Sequence, residues 1–405
     1  MDVGLLLRSA TPPRRLVALR ERITALEFPS LTTANLSIHE LEGILPQLDI
    51  RALRFSEFSF SDPTPWTQLE NMEAVLQLTP SLQHLELCAN FFSLAIDCAT
   101  FLEVARKHAS HLNTLILQNV PTTFGQLSSL TLRNLEVLVN INRPQSSGKR
   151  VLAFCQLLER TPALERLIIQ DRAADDRVEH TSYLHALTSP PQLLRLRCVR
   201  LDTWSPILAS AYLALVSRSN LQDLSFTPFP YSPRLHLWNI EQLRAWSQLK
   251  VLGLPPLKRL IFGVFDALTA LEDLECGRDD FLHQLSLVSQ GTTIFPDLNT
   301  LRISSVGDWQ DGDGSIAGFL RARDNAGIPL QRLLVHGPVV TRFFEVERDL
   351  GGVNVQIGRY RPRDGFEGVT ATLEPVDELF SEAELKKYGL WDERKPKGRW
   401  AFWNG

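Results

Sequence analysis

Long apolar runs are missing from this 405-residue chain. No stretch approaches the eighteen or so apolar residues that cross a bilayer, and Leu5-Leu6-Leu7 before Arg8 is too short for the core of a secretion signal. A membrane partner is therefore not expected. Cysteine is scarce: Cys88, Cys98, Cys155, Cys198 and Cys276 are odd in number and form no C-x-x-C pair. That excludes a zinc ribbon or dithiol redox motif and fits a reduced compartment, cytoplasm or nucleus. The lone sequon at Asn35 carries no weight without a secretion signal. Excess basic charge is missing too. With 42 basic against 46 acidic residues the net charge is −4, so nucleic acid held by counterion release is not expected.

Catalytic signatures are absent as well. There is no G-x-S-x-G elbow, P-loop or kinase motif. The stretch Gly312-Asp313-Gly314-Ser315 resembles a phosphate turn, but Asp308, Asp311 and Asp313 crowd the place an anion would occupy. A calcium loop starting at Asp311 would need Gly at its sixth position and Glu at its twelfth; Ile316 and Ala322 stand there. His180 and His185 lie near acidic residues without a metal-ligand spacing, and a solvated charged loop accounts for them. The chain is read as non-enzymatic, with no cofactor and no metal.

What is present is a repeat. A Leu or Ile, a Leu three residues later and an apolar residue two further on recur in twelve stretches. These begin at Ile23, Ile50, Leu82, Leu112, Leu135, Leu164, Leu193, Leu221, Leu249, Leu271, Leu298 and Leu330. The mean period is (330 − 23)/11, about 28 residues, the range of leucine-rich repeats. Such a unit cannot bury its apolar face alone and stacks on its neighbours. Alternation inside each motif predicts a strand, with Cys198 and Cys276 as buried third-position residues. Helical spacing between motifs predicts helices at Val151, Leu152, Phe154, Cys155 and Leu158, at Ile207 to Val216 behind the Ser205-Pro206 start, and at Leu257 to Leu268. The expected fold is α/β: a right-handed leucine-rich-repeat solenoid, or horseshoe, with parallel strands on the concave face and helices on the convex face.

Residues 1–22 are expected to form an N-terminal cap segment, 23–358 a solenoid of about 12 repeats, and 359–405 a polar, Trp-rich cap or docking tail. In that tail Ser381, Glu384 and Gly389 mark one short helix, and the basic run from Arg394 to Arg399 is a weak nuclear-import patch or a solvated surface.

Side chains between the motif leucines project from the concave face. Down that face Ile116, Val137, Val139, Ile141 and Ile168 are apolar, followed by Arg166, Arg195 and Arg197, then by Asp223, Asp273 and Glu275. An apolar patch with a charged border is the pattern of an interaction site. Ile116, Val137, Val139, Ile168, Arg166, Arg195, Arg197, Asp223 and Glu275 are the candidate partner-binding residues. The alternative is plain strand preference, or a register slip in the copy at Leu135, where Asn140 stands at the third apolar position.

The copy Leu82-Gln83-His84-Leu85-Glu86-Leu87-Cys88-Ala89-Asn90 resembles the ribonuclease-inhibitor-like superfamily. Irregular repeat lengths and lead-ins such as Pro80-Ser81-Leu82, Thr161-Pro162-Ala163-Leu164, Pro296-Asp297-Leu298 and Pro329-Leu330 resemble the repeats of fungal F-box proteins. That resemblance implies the target-recognition part of an SCF ubiquitin ligase receptor: a monomer binding a protein target on its concave face, with ligase components as further partners. No L-P-x-E-[IL] box stands before Ile23, so adaptor binding is assigned to no residue; the box is expected to be lost or to lie upstream. The alternative is a free-standing scaffold or inhibitor unrelated to ubiquitination.

Overall fold

The computed structural model describes residues 25–28, 41–43, 45–58, 65–89, 98–118, 128–139, 147–171, 190–203, 206–226, 240–254, 267–276, 295–304, 315–336 and 356–359. The histidine loop, the Asp308–Gly314 turn, Ile141, the expected helix from Leu257 through residue 266 and the tail beyond Arg359 lie outside them. The chain divides into two compact units, 1–220 and 221–405.

In the first unit the strands are β1 (Ala25–Phe28), β2 (Ala52–Phe58), β3 (His84–Ala89), β4 (Thr114–Gln118), β5 (Asn134–Val139), β6 (Arg166–Asp171) and β7 (Cys198–Thr203). Each pairs in parallel with the next, and one row runs Leu26, Leu53, Leu85, Leu115, Leu135, Leu167, Val199. All seven side chains are buried. Between the strands lie α1 (Pro65–Gln77), α2 (Cys98–His108) and α3 (Ser147–Glu159), with α4 (Pro206–Leu215) after β7.

One local device sets the register. The N–H of the first motif leucine donates to the carbonyl three residues back: Leu82 to Thr79 (3.2 Å), Leu112 to Ala109 (3.0 Å), Leu164 to Thr161 (3.1 Å) and Leu196 to Leu193 (3.0 Å). Pro80 and Pro162 occupy the second place of this turn, where a fixed φ is favourable. The next two N–H groups then share one carbonyl of the preceding repeat. Gln83 and His84 donate to Arg51, Asn113 and Thr114 to Gln83, Arg133 and Asn134 to Asn113, Glu165 and Arg166 to Arg133, and Arg197 and Cys198 to Glu165. Every chain pass therefore arrives at the same height. The helix ends are closed by hydroxyls: Thr79 Oγ1 donates to the Val75 carbonyl (3.0 Å) and Thr161 Oγ1 to that of Leu158 (3.2 Å). Each hydroxyl is a second donor to a last-turn carbonyl that already accepts a backbone N–H, from Leu78 at Val75 and from Thr161 at Leu158.

Two registers differ from the sequence reading. In β5 the row residue is Leu135, paired with Leu115 and Leu167, so the motif is Leu132-x-x-Leu135-x-Val137 rather than one starting at Leu135. This alignment supplies three apolar residues to the core, whereas the other would offer Asn140. In β7 the row residue is Val199 and the first leucine is Leu196, whose turn begins at Leu193. Placing Val199 and Leu201 inward buries more apolar volume than Leu196 and Cys198 would. Both slips are three residues, an odd number, so every side chain changes face. The alternative alignments would make the repeat lengths more even. The true row spacings here are uneven (135 − 115 = 20, 167 − 135 = 32, 199 − 167 = 32).

Behind the sheet, α3 buries Val151, Phe154, Cys155 and Leu158, while Leu152, expected in that stripe, is exposed. Pro206 opens α4, which buries Leu208, Ala211, Tyr212 and Leu215. Phe154 and Tyr212 meet edge-to-face, 5.2 Å between ring centres, and the Tyr212 hydroxyl donates to Asp171 Oδ2 at 2.6 Å. A buried carboxylate at the end of β6 is thus tied to the helix that follows β7.

The second unit holds β8 (Asp223–Phe226), β9 (Val251–Gly253), β10 (Asp273–Cys276), β11 (Thr300–Ser304), β12 (Arg332–His336) and β13 (Gln356–Arg359), with α5 (Ser315–Asn325) between β11 and β12. Its row runs Leu224, Leu252, Leu274, Leu301, Leu333, Ile357. The motif count ended one strand early because the third apolar place of β13 holds Arg359, the register partner of Val335. The lead-in turn recurs at Leu249, Leu271 and Leu298. Phe295, which opens the last of these, has a left-handed backbone (φ 51°). Buried Arg323 of α5 donates to the carbonyls of Phe295 (3.0 Å) and Leu298 (2.8 Å) and lies 5.7 Å from the centre of the Phe319 ring. Burial lowers its pKa to about 10, so it stays charged at neutral pH. Gly327 (φ 74°) ends α5, with Ile328 N–H reaching back to the Arg323 carbonyl.

Candidate interaction face

Motif leucines fill one side of the strands, so the intervening residues line the other, open side. In the first unit one open-face row runs Arg54, Glu86, Ile116, Glu136, Ile168, Arg200. Ile116 is half-buried, with Glu86 and Glu136 as its register partners. Ile168 has the same orientation but is only 2% exposed, so it is a covered residue and not an available contact. Arg166 is half-buried in the adjoining row, between Asn134 and Cys198.

Val137 is a correction: it lies in the core, turned inward by the β5 register. Val139 pairs with Asp171 at the strand end instead of standing in the Ile116 row. Arg195 and Arg197 are exposed but precede β7, so they belong to the lead-in turn and not to the sheet. Cys198 takes a half-buried open-face place instead of the expected core one. The residues missed are Leu138, Gln118, Gln170, Glu136 and Arg200. Preferring the motif copy with three apolar residues would have found the β5 positions.

The open face of β2–β6 carries a side-chain ladder. Arg54 Nε lies 3.5 Å from Glu86 Oε1, and the same oxygen accepts from the Gln118 amide and from the Cys88 thiol (3.5 Å). Gln170 donates to Glu136 (2.9 Å), Asn134 to Thr114 Oγ1 (3.1 Å), and Thr114 to Asn113 (2.8 Å). Burial pushes the Cys88 thiol up to about 11, with the Glu86 carboxylate adding to it. Burial lowers the pKa of His84, against the opposing pull of Glu86. Neither change activates a nucleophile or a base at neutral pH.

In the second unit Glu275 is half-buried in the open-face row Ser225–Gly253–Glu275, and Asp223 is half-buried in the adjoining row Asp223–Val251–Asp273. A β-carbon at Gly253 would stand 3.1 Å from that of Ser225, so this floor is narrow. Asp273 pairs with Arg302; burial raises the Asp273 pKa while Arg302 and Arg332 oppose the rise. Among the described residues no group of three His, Cys, Asp or Glu side chains could hold a metal ion, and no helix is long and apolar enough to cross a membrane.

Parallel strands in chain order, a repeated lead-in turn and a leucine core define a leucine-rich-repeat solenoid. No family model and no curated protein matches the chain. Among solved structures it is similar to an internalin from Listeria monocytogenes, with 13% identity over 78% of this chain and 91% of that one and a TM-score of 0.29.

Proposed function

We propose that the chain is a non-enzymatic protein-interaction module whose partner sits on the open face of the first unit. The supporting observation is the row Glu86–Ile116–Glu136, an accessible apolar side chain between two carboxylates that Gln118 and Gln170 hold in place. A fixed polar frame around an apolar centre costs little ordering entropy when a partner docks. Arg166 supplies a further contact in that unit, and the module works as a monomer in cytoplasm or nucleus. In finer terms we read it as the target-recognition part of an F-box-type ubiquitin ligase receptor. A free-standing scaffold or inhibitor unrelated to ubiquitination is the second reading.

The test is affinity capture of the tagged full chain and of Ile116→Asp from native cells, read by mass spectrometry. Ligase adaptor and cullin among the captured proteins support the receptor reading; other partners alone support the scaffold. A partner set unchanged by Ile116→Asp removes the open face from the proposal.

A further inference from the structure

The register of β7 moves Arg195 and Arg197 off the sheet and onto its rim, which carries other arginines. Arg133, Glu165 and Arg197 are successive rungs there: Glu165 N–H donates to the Arg133 carbonyl (2.8 Å), and Arg197 N–H to that of Glu165 (2.9 Å). Such rungs are about 4.8 Å apart. The Leu130 N–H donates to the Arg160 carbonyl (2.7 Å), bringing Arg160 to the lead-in of β5. Arg133, Arg160, Arg195 and Arg197 are all exposed. The carboxylates of the same segments are Glu165, 4.0 Å from Arg133, and Glu159. Four guanidiniums against two carboxylates give a local excess of +2 in a chain of net charge −4.

An apolar centre lies among these cations. The turns Thr161–Leu164 and Leu193–Leu196 close with the same hydrogen bond, so Pro162 and Leu194 hold equivalent places on neighbouring turns. Pro162 is exposed, and Leu194 is 64% exposed, more than Leu152, the other large exposed hydrophobic residue among those described. A single exposed leucine means little. One on the turn next to that of an exposed proline, and followed in the chain by exposed Arg195 and Arg197, is a surface with a complement.

We propose that this rim is a second docking surface, separate from the open sheet face, and that its occupant is an acidic segment of a protein partner. An apolar side chain of that segment rests on Leu194 and Pro162, and flanking carboxylates pair with Arg195, Arg197 and the neighbouring arginines. Guanidiniums suit carboxylates because their fork matches both oxygens. A single-stranded nucleic acid is the poorer fit, since its usual platform is an aromatic side chain on which bases stack, and the patch offers leucine and proline.

The experiment pans the full-length protein against a phage-displayed library of random 12-residue segments. It then measures the enriched peptides by fluorescence anisotropy on wild type, Arg195→Glu with Arg197→Glu, Leu194→Ser and Ile116→Asp. Expected is a pool with an apolar residue flanked by Asp or Glu, bound at least about tenfold more weakly by the double reversal, and more weakly again as salt rises past the screening range. Leu194→Ser should weaken binding several-fold, and Ile116→Asp should leave it unchanged. The proposal is overturned by a pool with no acidic bias or no enrichment at all. It is also overturned by binding that survives the double reversal, or by a 12-nucleotide oligouridine that binds the rim more tightly than the peptides. Loss of binding on Ile116→Asp alone would assign the peptides to the open face and equally overturn it. Unaltered melting temperatures in all variants exclude unfolding as the cause.

Discussion

The two faces of the same strands follow different rules. On the core face of β2–β7 each rung presents the same chemistry: Leu53, Leu85, Leu115, Leu135, Leu167 and Val199 in one row, Phe55, Leu87, Leu117, Val137, Ile169 and Leu201 in the next, all buried. On the open face Arg54, Glu86, Ile116, Glu136, Ile168 and Arg200 follow one another, with few neighbours alike. Stacking explains the first pattern, because a repeat is stable only if its apolar side matches those beside it. It places no such demand on the second. Variation on the open face is therefore where recognition can be written without loss of the fold.

The largest test of this contrast is Leu85→Ala. Leu85 is fully buried between Leu53 and Leu115, and its truncation should cost about 3 kcal/mol, transfer plus cavity, read as a lowered midpoint in urea. A loss below about 1 kcal/mol would mean that the core row collapses around the gap. Next comes a pair within one row. Ile168→Asp places a carboxylate at a 2% exposed site and should cost roughly 2–3 kcal/mol. Ile116→Asp, half-buried but opposite two glutamates, should cost less than about 1 kcal/mol, the range of like charges across strands. Equal losses would show that exposure does not separate these two isoleucines.

A smaller effect is expected at Tyr212→Phe. The change keeps the ring against Phe154 and removes one donor from buried Asp171, so the loss should be about 1–2 kcal/mol. Asp171→Asn in the same background should recover part of it, since an amide brings a donor of its own to the site. No recovery would make the contact a matter of packing alone.

The contrast between faces also explains what could be read from sequence. Core periodicity announces itself, so the solenoid, its parallel strands, α4 behind Pro206 and most row leucines were legible. Where leucines are too plentiful the signal becomes ambiguous. Leu130, Leu132, Leu135 and Leu138 allow two alignments of β5, and Leu193, Leu196, Val199 and Leu201 allow two of β7. Even spacing favours the alignment that is not adopted in each case. Competing burial decides the matter, and sequence spacing does not report it. The open face inherits the ambiguity: the alternative alignment of β5 places Val137 on it and leaves Glu136 off it, whereas Val137 is buried and Glu136 stands in the Ile116 row. Side-chain pairs such as Gln170–Glu136 were invisible because they join residues 34 apart. Nothing in either segment alone signals the bond.

The smallest expected effect is a change in reaction rate that reports the electrostatics of the open face directly. The thiols of Cys88 on the open face and Cys155 in α3 are both raised to about 11, chiefly by burial, with Glu86 adding at Cys88 and Glu159 at Cys155. At pH 8 such a thiol is ionised roughly a hundredfold less than one at the ordinary 9.0, and only the thiolate alkylates. Both should react slowly with iodoacetamide, followed site by site by mass spectrometry. Glu86→Gln removes a nearby negative charge from Cys88 but leaves its burial, so alkylation there should quicken several-fold while Cys155 stays slow. A Cys88 that already reacts like free cysteine would show water reaching the Arg54–Glu86–Gln118 ladder. The carboxylates framing Ile116 would then be solvated and mobile, and the fixed frame on which partner docking depends would be lost.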